Sequence, residues 1–377
     1  MKLKKAVIPF IVYCLAGSGV FAQEQPSDPK ATAETRHLYG HMQRLVKKGF
    51  MIGHQDDLAY GVNWKYKEGG SDIHEVTGDY PAVYGWDLSG LERPGAANNI
   101  DGVPFKKMRR FIQEGYARGG VITMSWHADN PLTGKNAWDT THGTVVSILP
   151  GGANHNLYKT WLDNIAAYLL SLKGKRGELI PVLFRPYHEL TGTWFWWCRN
   201  NCKPEQFKVL WRFTNYYLRE VKQVHNLLYV FNEADFSSKE DFMRYYPGDD
   251  MADLVSFDTY QYGDPAKDNQ FVKDTDRKLA ILDSIAAETH KIAALAETGY
   301  EQVPYAEWWT ETLLKMIGKH PVAYVLLWRN AGYVPSMGKM HYYVPYKGQV
   351  SEADFKKFYD LDRTLFEKEV ARERLYE

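Results

Sequence analysis

The chain has 377 residues, 45% of them hydrophobic, enough to bury a large core and within the size range of one α/β barrel domain. Its 46 basic and 46 acidic residues cancel, which excludes electrostatic capture of nucleic acid or of an anionic membrane surface. An uncharged partner remains, and the 12 Trp and 26 Tyr residues supply flat apolar faces suited to sugar rings, with a Trp-rich core as the competing use.

Lys2, Lys4 and Lys5 precede an apolar stretch at 6–20 and then Val20-Phe21-Ala22, the pattern of a secretory signal peptide cleaved after Ala22. The expected organisation is a signal peptide at 1–22 and one catalytic domain at 23–377, periplasmic or secreted. Cys14 raises a lipid anchor, but Tyr13 stands where such a signal wants a small residue. No later stretch is apolar enough to span a bilayer. After a polar leader at 23–29, an amphipathic helix is predicted at 33–48, then a short apolar run ending in Gly53-His54. Run 81–87 precedes a helix at 104–118, run 120–127 a helix at 156–172, and run 179–189 a helix at 204–224. Runs 226–232 and 253–260 follow, then a helix at 274–289 with run 291–299, and run 322–330 with a closing helix at 352–368.

Eight strand-like runs separated by helices are the count of a single (β/α)8 barrel, whose parallel strands explain the unbroken apolar patterning. Barrel sites form at the C-terminal ends of the strands. The residues there include His54, Asp87, His127, His188, Glu189, Asn232, Glu233, Asp258, Tyr260, Glu297, Trp328 and Arg329, a density of ionisable groups that a structural face does not need. Glycosidic cleavage requires one acid for the leaving oxygen and a second carboxylate for the developing cationic carbon. Glu189 after strand four and Glu297 on strand seven face each other across the mouth, which suits the retaining separation of roughly 5 to 5.5 Å. Glu189 is therefore assigned acid/base and Glu297 nucleophile, with Arg185 and Asp258 in support, Arg185 through a buried ion pair. Asn232-Glu233 ends the fifth strand by this count; a miscount by one would put Glu233 in place of Glu189. Cys198 and Cys202, in CRNNC, read as a loop disulfide in an exported protein. Of the cluster Trp194, Trp196 and Trp197, one is expected to face sugar.

The motif Arg185-Pro186-Tyr187-His188-Glu189, together with Trp126-His127, Glu297 and Trp328-Arg329-Asn330, resembles family 26 glycoside hydrolases, chiefly endo-β-1,4-mannanases. The resemblance covers the mature chain, and this family carries His-Glu where its clan relatives carry Asn-Glu. It implies retaining hydrolysis of β-mannan; the two-carboxylate chemistry needs no cofactor, and a monomer is expected. The resemblance implies that His127 and His188 contact the sugar or orient the carboxylates, that Tyr260 bonds the nucleophile, and that Trp328 lies beneath the reacting sugar. Trp194 would flank it on the leaving-group side, Arg329 would contact the next mannose, and Trp138 would line the glycone side. β-1,3-Xylanases and mixed-linkage glucanases of the same family are the nearest alternatives. A metal-dependent barrel hydrolase using His54, Asp87, His127, His188 and Asp258, and a non-catalytic polysaccharide binder, stay open at this point.

Overall fold

A parallel strand covered by side chains inside a barrel and by helices outside is apolar on both faces, and the runs fold accordingly. In the computed structural model, which describes residues 25–377, they form β1 (Phe50–Gln55), β2 (Val83–Asp87), β3 (Val121–Trp126), β4 (Val182–Pro186), β5 (Leu227–Glu233), β6 (Leu254–Gln261), β7 (Ile292–Tyr300) and β8 (Val322–Leu327). Each strand pairs in parallel with the next, and β8 closes onto β1 from Met51 opposite Tyr324 to His54 opposite Leu327. This is the expected (β/α)8 barrel, with Glu189 just past β4 and Glu233 at the end of β5. The signal-peptide segment and Cys14 lie outside the described residues. Among the described residues no helix is long and apolar enough to cross a membrane.

Side chains alternate across a strand, so position decides which layer a residue joins. Met51, Val121, Leu183, Leu228, Val230, Leu254, Ala294 and Tyr324 pack in one cluster with Leu38, Tyr39 and Met42 of the helix Ala33–Leu45. These are the inward positions, and that helix plugs the barrel at the end away from the strand C-termini. Their neighbours Phe184, Tyr229, Phe231, Val255, Phe257 and Leu295 join a second cluster between strands and helices. The inner layer thus turns from aliphatic to ionisable within one strand, as in Leu183 then Arg185 and Leu254 then Asp258.

Two helical expectations are corrected. The stretch 352–368 is not one helix but Glu352–Tyr359 and Glu367–Arg372, separated by the strand Thr364–Leu365, which pairs with the start of β1. Beyond the end of the first helix the Thr364 hydroxyl donates back to the Phe358 carbonyl at 2.6 Å while the chain extends beside Phe50. The helix after β4 runs Pro204–Tyr216 and finishes in a π-helical turn, Tyr217–Val221. Short helices at Asp72–Thr77 and Lys239–Met243 have too few residues for a periodic pattern to register.

Candidate active site

The mouth is organised by Arg185, which the inward register of β4 buries in the barrel. Its Nη1 donates to Asp258 Oδ2 at 2.6 Å and its Nη2 donates to Glu297 Oε1. Burial opposes the guanidinium charge, but the two carboxylates outweigh burial and raise its pKa. The second oxygen of Glu297 accepts from the Tyr260 hydroxyl at 2.7 Å. Burial and the Glu297 charge both push the Tyr260 phenol up, so it stays a donor. Asn232 links the two sides: its amide donates to Asp258 Oδ1 at 2.7 Å, and its Oδ1 accepts from the Glu189 backbone N–H at 2.7 Å.

Glu297 reaches this position through a β-bulge. Along β7, Ala294 and Ala296 face inward with the plug cluster, so strict alternation would send Glu297 outward with Leu295. Instead Phe257 pairs with Leu295 and the next residue, Asp258, pairs with Glu297. One extra residue on β7 restores Glu297 to the inward side beside Asp258; a one-residue slip exchanges the faces of a strand. On its other edge β7 shifts register against β8 over the same segment.

Glu189 sits where the chain leaves β4 in a tight reversal, with Tyr187 and Glu189 both at φ 53°. Left-handed backbone at two side-chain-bearing residues costs about 1 to 3 kcal/mol each and persists only where the surroundings impose it. Here Tyr187 is locked by its hydroxyl against Thr214 Oγ1 at 2.8 Å, and the Glu189 N–H by Asn232. The Glu189 carboxylate accepts from Trp194 Nε1 at 2.6 Å. Burial, and then the charge of Glu297, raise its pKa to about 7. Glu189, Asp258 and Glu297 bring carboxylate oxygens within 4.8 Å of one another. The cation among them is the Arg185 guanidinium.

Beside the carboxylates, His127 Nδ1 donates to Asp87 Oδ2 at 2.8 Å and the two histidines meet Nε2 to Nε2 at 3.2 Å. Burial works against a charge on His127, but Asp87 overcomes it and raises the pKa. Burial and the positive charges of His127 and Arg185 drive His188 well down. His188 is therefore the acceptor and His127 the donor between them. The indole of Trp138, 47% exposed, stacks on His127 with centroids 5.4 Å apart, while Trp194 is 41% exposed and Trp196 and Trp197 are fully buried. One tryptophan of that cluster, Trp194, is open to solvent. Trp328 lies part-buried past β8, and Arg329 pairs with Asp101 at 3.0 Å.

One expectation, the loop disulfide, is not met, and two of the alternatives find no geometry to carry them. Cys198 and Cys202 are free, buried thiols, not a disulfide; each sulphur is turned to a main-chain carbonyl, of Glu189 at 3.5 Å and of Trp197 at 3.2 Å. The ligand set for a metal hydrolase does not assemble. His54 occupies an outward position of β1 and bonds Asp57 at 2.6 Å, and Asp87 is taken by His127 and Ser125. Glu233 also points outward, with Tyr229 and Phe231, and lies fully buried away from the mouth. Asn232 is the residue whose part the sequence does not reveal: it reads there only as a strand end, and its inward register with Leu228 and Val230 is shown by the fold. The anchoring of Arg329 by Asp101 comes from a loop and had no signal in the sequence.

The description Glycosyl hydrolase family 26 matches residues 27–329. A β-mannanase structure of that family from Bacteroides ovatus superposes with a TM-score of 0.87 at 43% identity, covering 92% of this chain and 98% of that one. The catalytic domain of an endo-β-1,4-mannanase from Bacillus sp. JAMB-750 gives 0.85 at 31% identity, covering 94% and 96%. A curated mannan endo-1,4-β-mannosidase of Bifidobacterium adolescentis is 33% identical over 359 residues, 90% of this chain and 35% of that protein. Another, from Thermothelomyces thermophilus, is 27% identical over 74% of this chain and 53% of its own length. The chain therefore spans about a third to a half of these two curated relatives. Its barrel, its strand-end motifs and the match across its length assign it: the chain belongs to glycosyl hydrolase family 26.

Proposed function

We propose that this chain is a retaining β-mannanase that cleaves β-1,4-mannosidic bonds by double displacement. The carrying observation is the pair Glu189 and Glu297, with carboxylate oxygens inside 4.8 Å, an approach that suits the close-set carboxyl pair of a retaining enzyme over the wider pair of an inverting one. Glu189, with a pKa of about 7, is protonated often enough near neutrality to give its proton to the glycosidic oxygen. Glu297, ionised between Arg185 and Tyr260, attacks the anomeric carbon as the bond to the leaving sugar breaks, forming a glycosyl ester. Glu189, now a carboxylate, takes a proton from water; the oxygen of that water attacks the same carbon and releases Glu297. Charge stays balanced throughout, and the chemistry asks for no cofactor.

The remaining roles are part of the same proposal. Trp194 is hydrogen-bonded to the acid, which supports a place beside the leaving sugar. Trp328 serves as the platform under the reacting sugar, His127 and His188 hold its hydroxyls, Trp138 covers the glycone side through its stack on His127, and Arg329 meets the next mannose. One chain carries the whole set, which supports action as a monomer. The N-terminal Lys2, Lys4, Lys5 and apolar run support export to the periplasm or medium, and N-terminal sequencing of protein recovered outside the cytoplasm is expected to begin at Gln23.

The test is incubation with linear β-1,4-mannan, β-1,3-xylan and mixed-linkage glucan, measuring reducing ends released by the chain and by Glu297→Ala. Mannan cleavage that disappears in the variant is expected. Cleavage of xylan or glucan alone would transfer the assignment to that substrate, and activity surviving in Glu297→Ala would remove the two-glutamate mechanism.

A further inference from the structure

We infer that Tyr343 is a positioning residue for the nucleophile, acting through Tyr260. The inference rests on the reading of Glu297 as nucleophile and extends it to a residue outside the strand-end motifs. Tyr260 can hold Glu297 Oε2 only while its own ring is held, and the ring that meets it is Tyr343, edge to face at 5.7 Å and 69°. Tyr343 is fixed from three directions. Its backbone N–H donates to Asn330 Oδ1 at 2.8 Å, and Asn330 is in turn anchored on Asp72 at 2.7 Å. Its ring lies against the backbone of Gly299, two residues past Glu297, where a Cβ would come within 2.3 Å of Tyr343 Cδ1. On the far side stands His341, with ring centroids 5.2 Å apart.

His341 is tied down by Glu301, which takes its Nδ1 at 2.8 Å and Lys339 Nζ at 2.6 Å. His341 and Lys339 belong to the strand Lys339–His341, paired with Gly332–Val334 as a hairpin beyond β8. Glu301 follows β7. The line from hairpin to nucleophile is continuous: Glu301, His341, Tyr343, Tyr260, Glu297. A bare glycine at 299 is what lets the Tyr343 ring close that line. With the ring removed, Tyr260 is free to rotate away from Glu297, and the carboxylate keeps Arg185 alone as its donor.

An edge-to-face ring pair is worth about two- to twelvefold in an equilibrium, so Tyr343→Ala is expected to lower kcat on mannan about tenfold with little change in KM. Its kcat/KM profile is expected to lose the acid limb at a higher pH, because a carboxylate deprived of the Tyr260 donor holds its proton more tightly. Tyr343→Phe keeps the ring and should retain wild-type kinetics. In a Tyr260→Phe background, Tyr343→Ala should add no further loss, since both act through one hydrogen bond. Carboxyl NMR titration of Glu297 gives the same answer without turnover: the pKa rises in Tyr343→Ala and not in Tyr343→Phe. If the wild-type chain releases no reducing ends, the mannanase reading fails and the NMR titration alone decides this inference. Should Tyr343→Ala unfold, Gly299→Ala displaces the ring and carries the same expectations. A rise in KM alone, additive loss in the Tyr260→Phe background, or an unmoved Glu297 titration would overturn it.

Discussion

Arg185 shows how one side chain can hold a site together and also make it fragile. It is buried with both partners, and its guanidinium balances Asp258 and Glu297 inside a low-dielectric barrel. A buried pair of this kind adds little over an apolar substitute, but removing one partner leaves charge without compensation, at a cost of about 3 to 5 kcal/mol. Arg185→Met is therefore expected to lower the urea midpoint strongly at pH 8 and less at pH 5, where the two stranded acids take up protons. An equal loss at both pH values would mean that the arginine contributes packing and not charge. Much of this was legible: Arg185 was read as an ion-pairing residue and Tyr260 as the partner of Glu297. The identity of both Arg185 partners needed three dimensions, because Asp258 and Glu297 lie 73 and 112 residues away in sequence.

At the scale of elements, the decisive feature is the bulge in β7, which no pattern in the sequence announces. Ala293, Ala294, Leu295 and Ala296 are apolar at every position, so alternation cannot be counted through them. The assignment of Glu297 rested on its place at a strand end, and its inward orientation is a product of one extra residue. Deleting Ala296 is expected to restore regular pairing and send residue 297 outward, reducing mannan cleavage to the level of Glu297→Ala while far-ultraviolet circular dichroism stays that of a folded barrel. Retained activity would show that β7 finds the same register by another route. Glu233 is a parallel case. Leu227 to Phe231 are also apolar at every position, so the sequence sets Glu233 aside only by strand count, and it is the fold that puts Leu228 and Val230 on the inner side and Tyr229 and Phe231 on the outer. The break in the closing helix has no local signal, because the pairing of Thr364 and Leu365 with β1 is a contact between the two ends of the barrel sequence.

For the molecule as a whole, the barrel carries an apolar plug at one end and a concentration of charge at the other, so the site subtracts from the stability that the rest of the fold supplies. Glu189 makes this measurable. Its folded-state pKa of about 7 lies above the ordinary 4.5. The folded molecule therefore keeps a proton through a pH range in which the unfolded chain has released it, and stability declines as pH rises from about 4.5 through 7. At about 1.4 kcal/mol per pKa unit the difference is at most about 3.5 kcal/mol, trimmed by the solvent that reaches this part-buried carboxyl. Glu189→Gln removes the titration while keeping an oxygen for the Trp194 N–H. The variant is thus expected to melt above the wild type at pH 8 and close to it at pH 5, while losing about 10² to 10⁴ in kcat with the proton donor gone. If Glu189 is the acid, as proposed, the alkaline limb of wild-type activity is expected near pH 7, and a pH–rate profile checks it. Calorimetry across pH 5 to 8 separates the two contributions: a melting difference that does not grow with pH would mean that the raised pKa of Glu189 is absent, and the acid role would then have to be sought in another group.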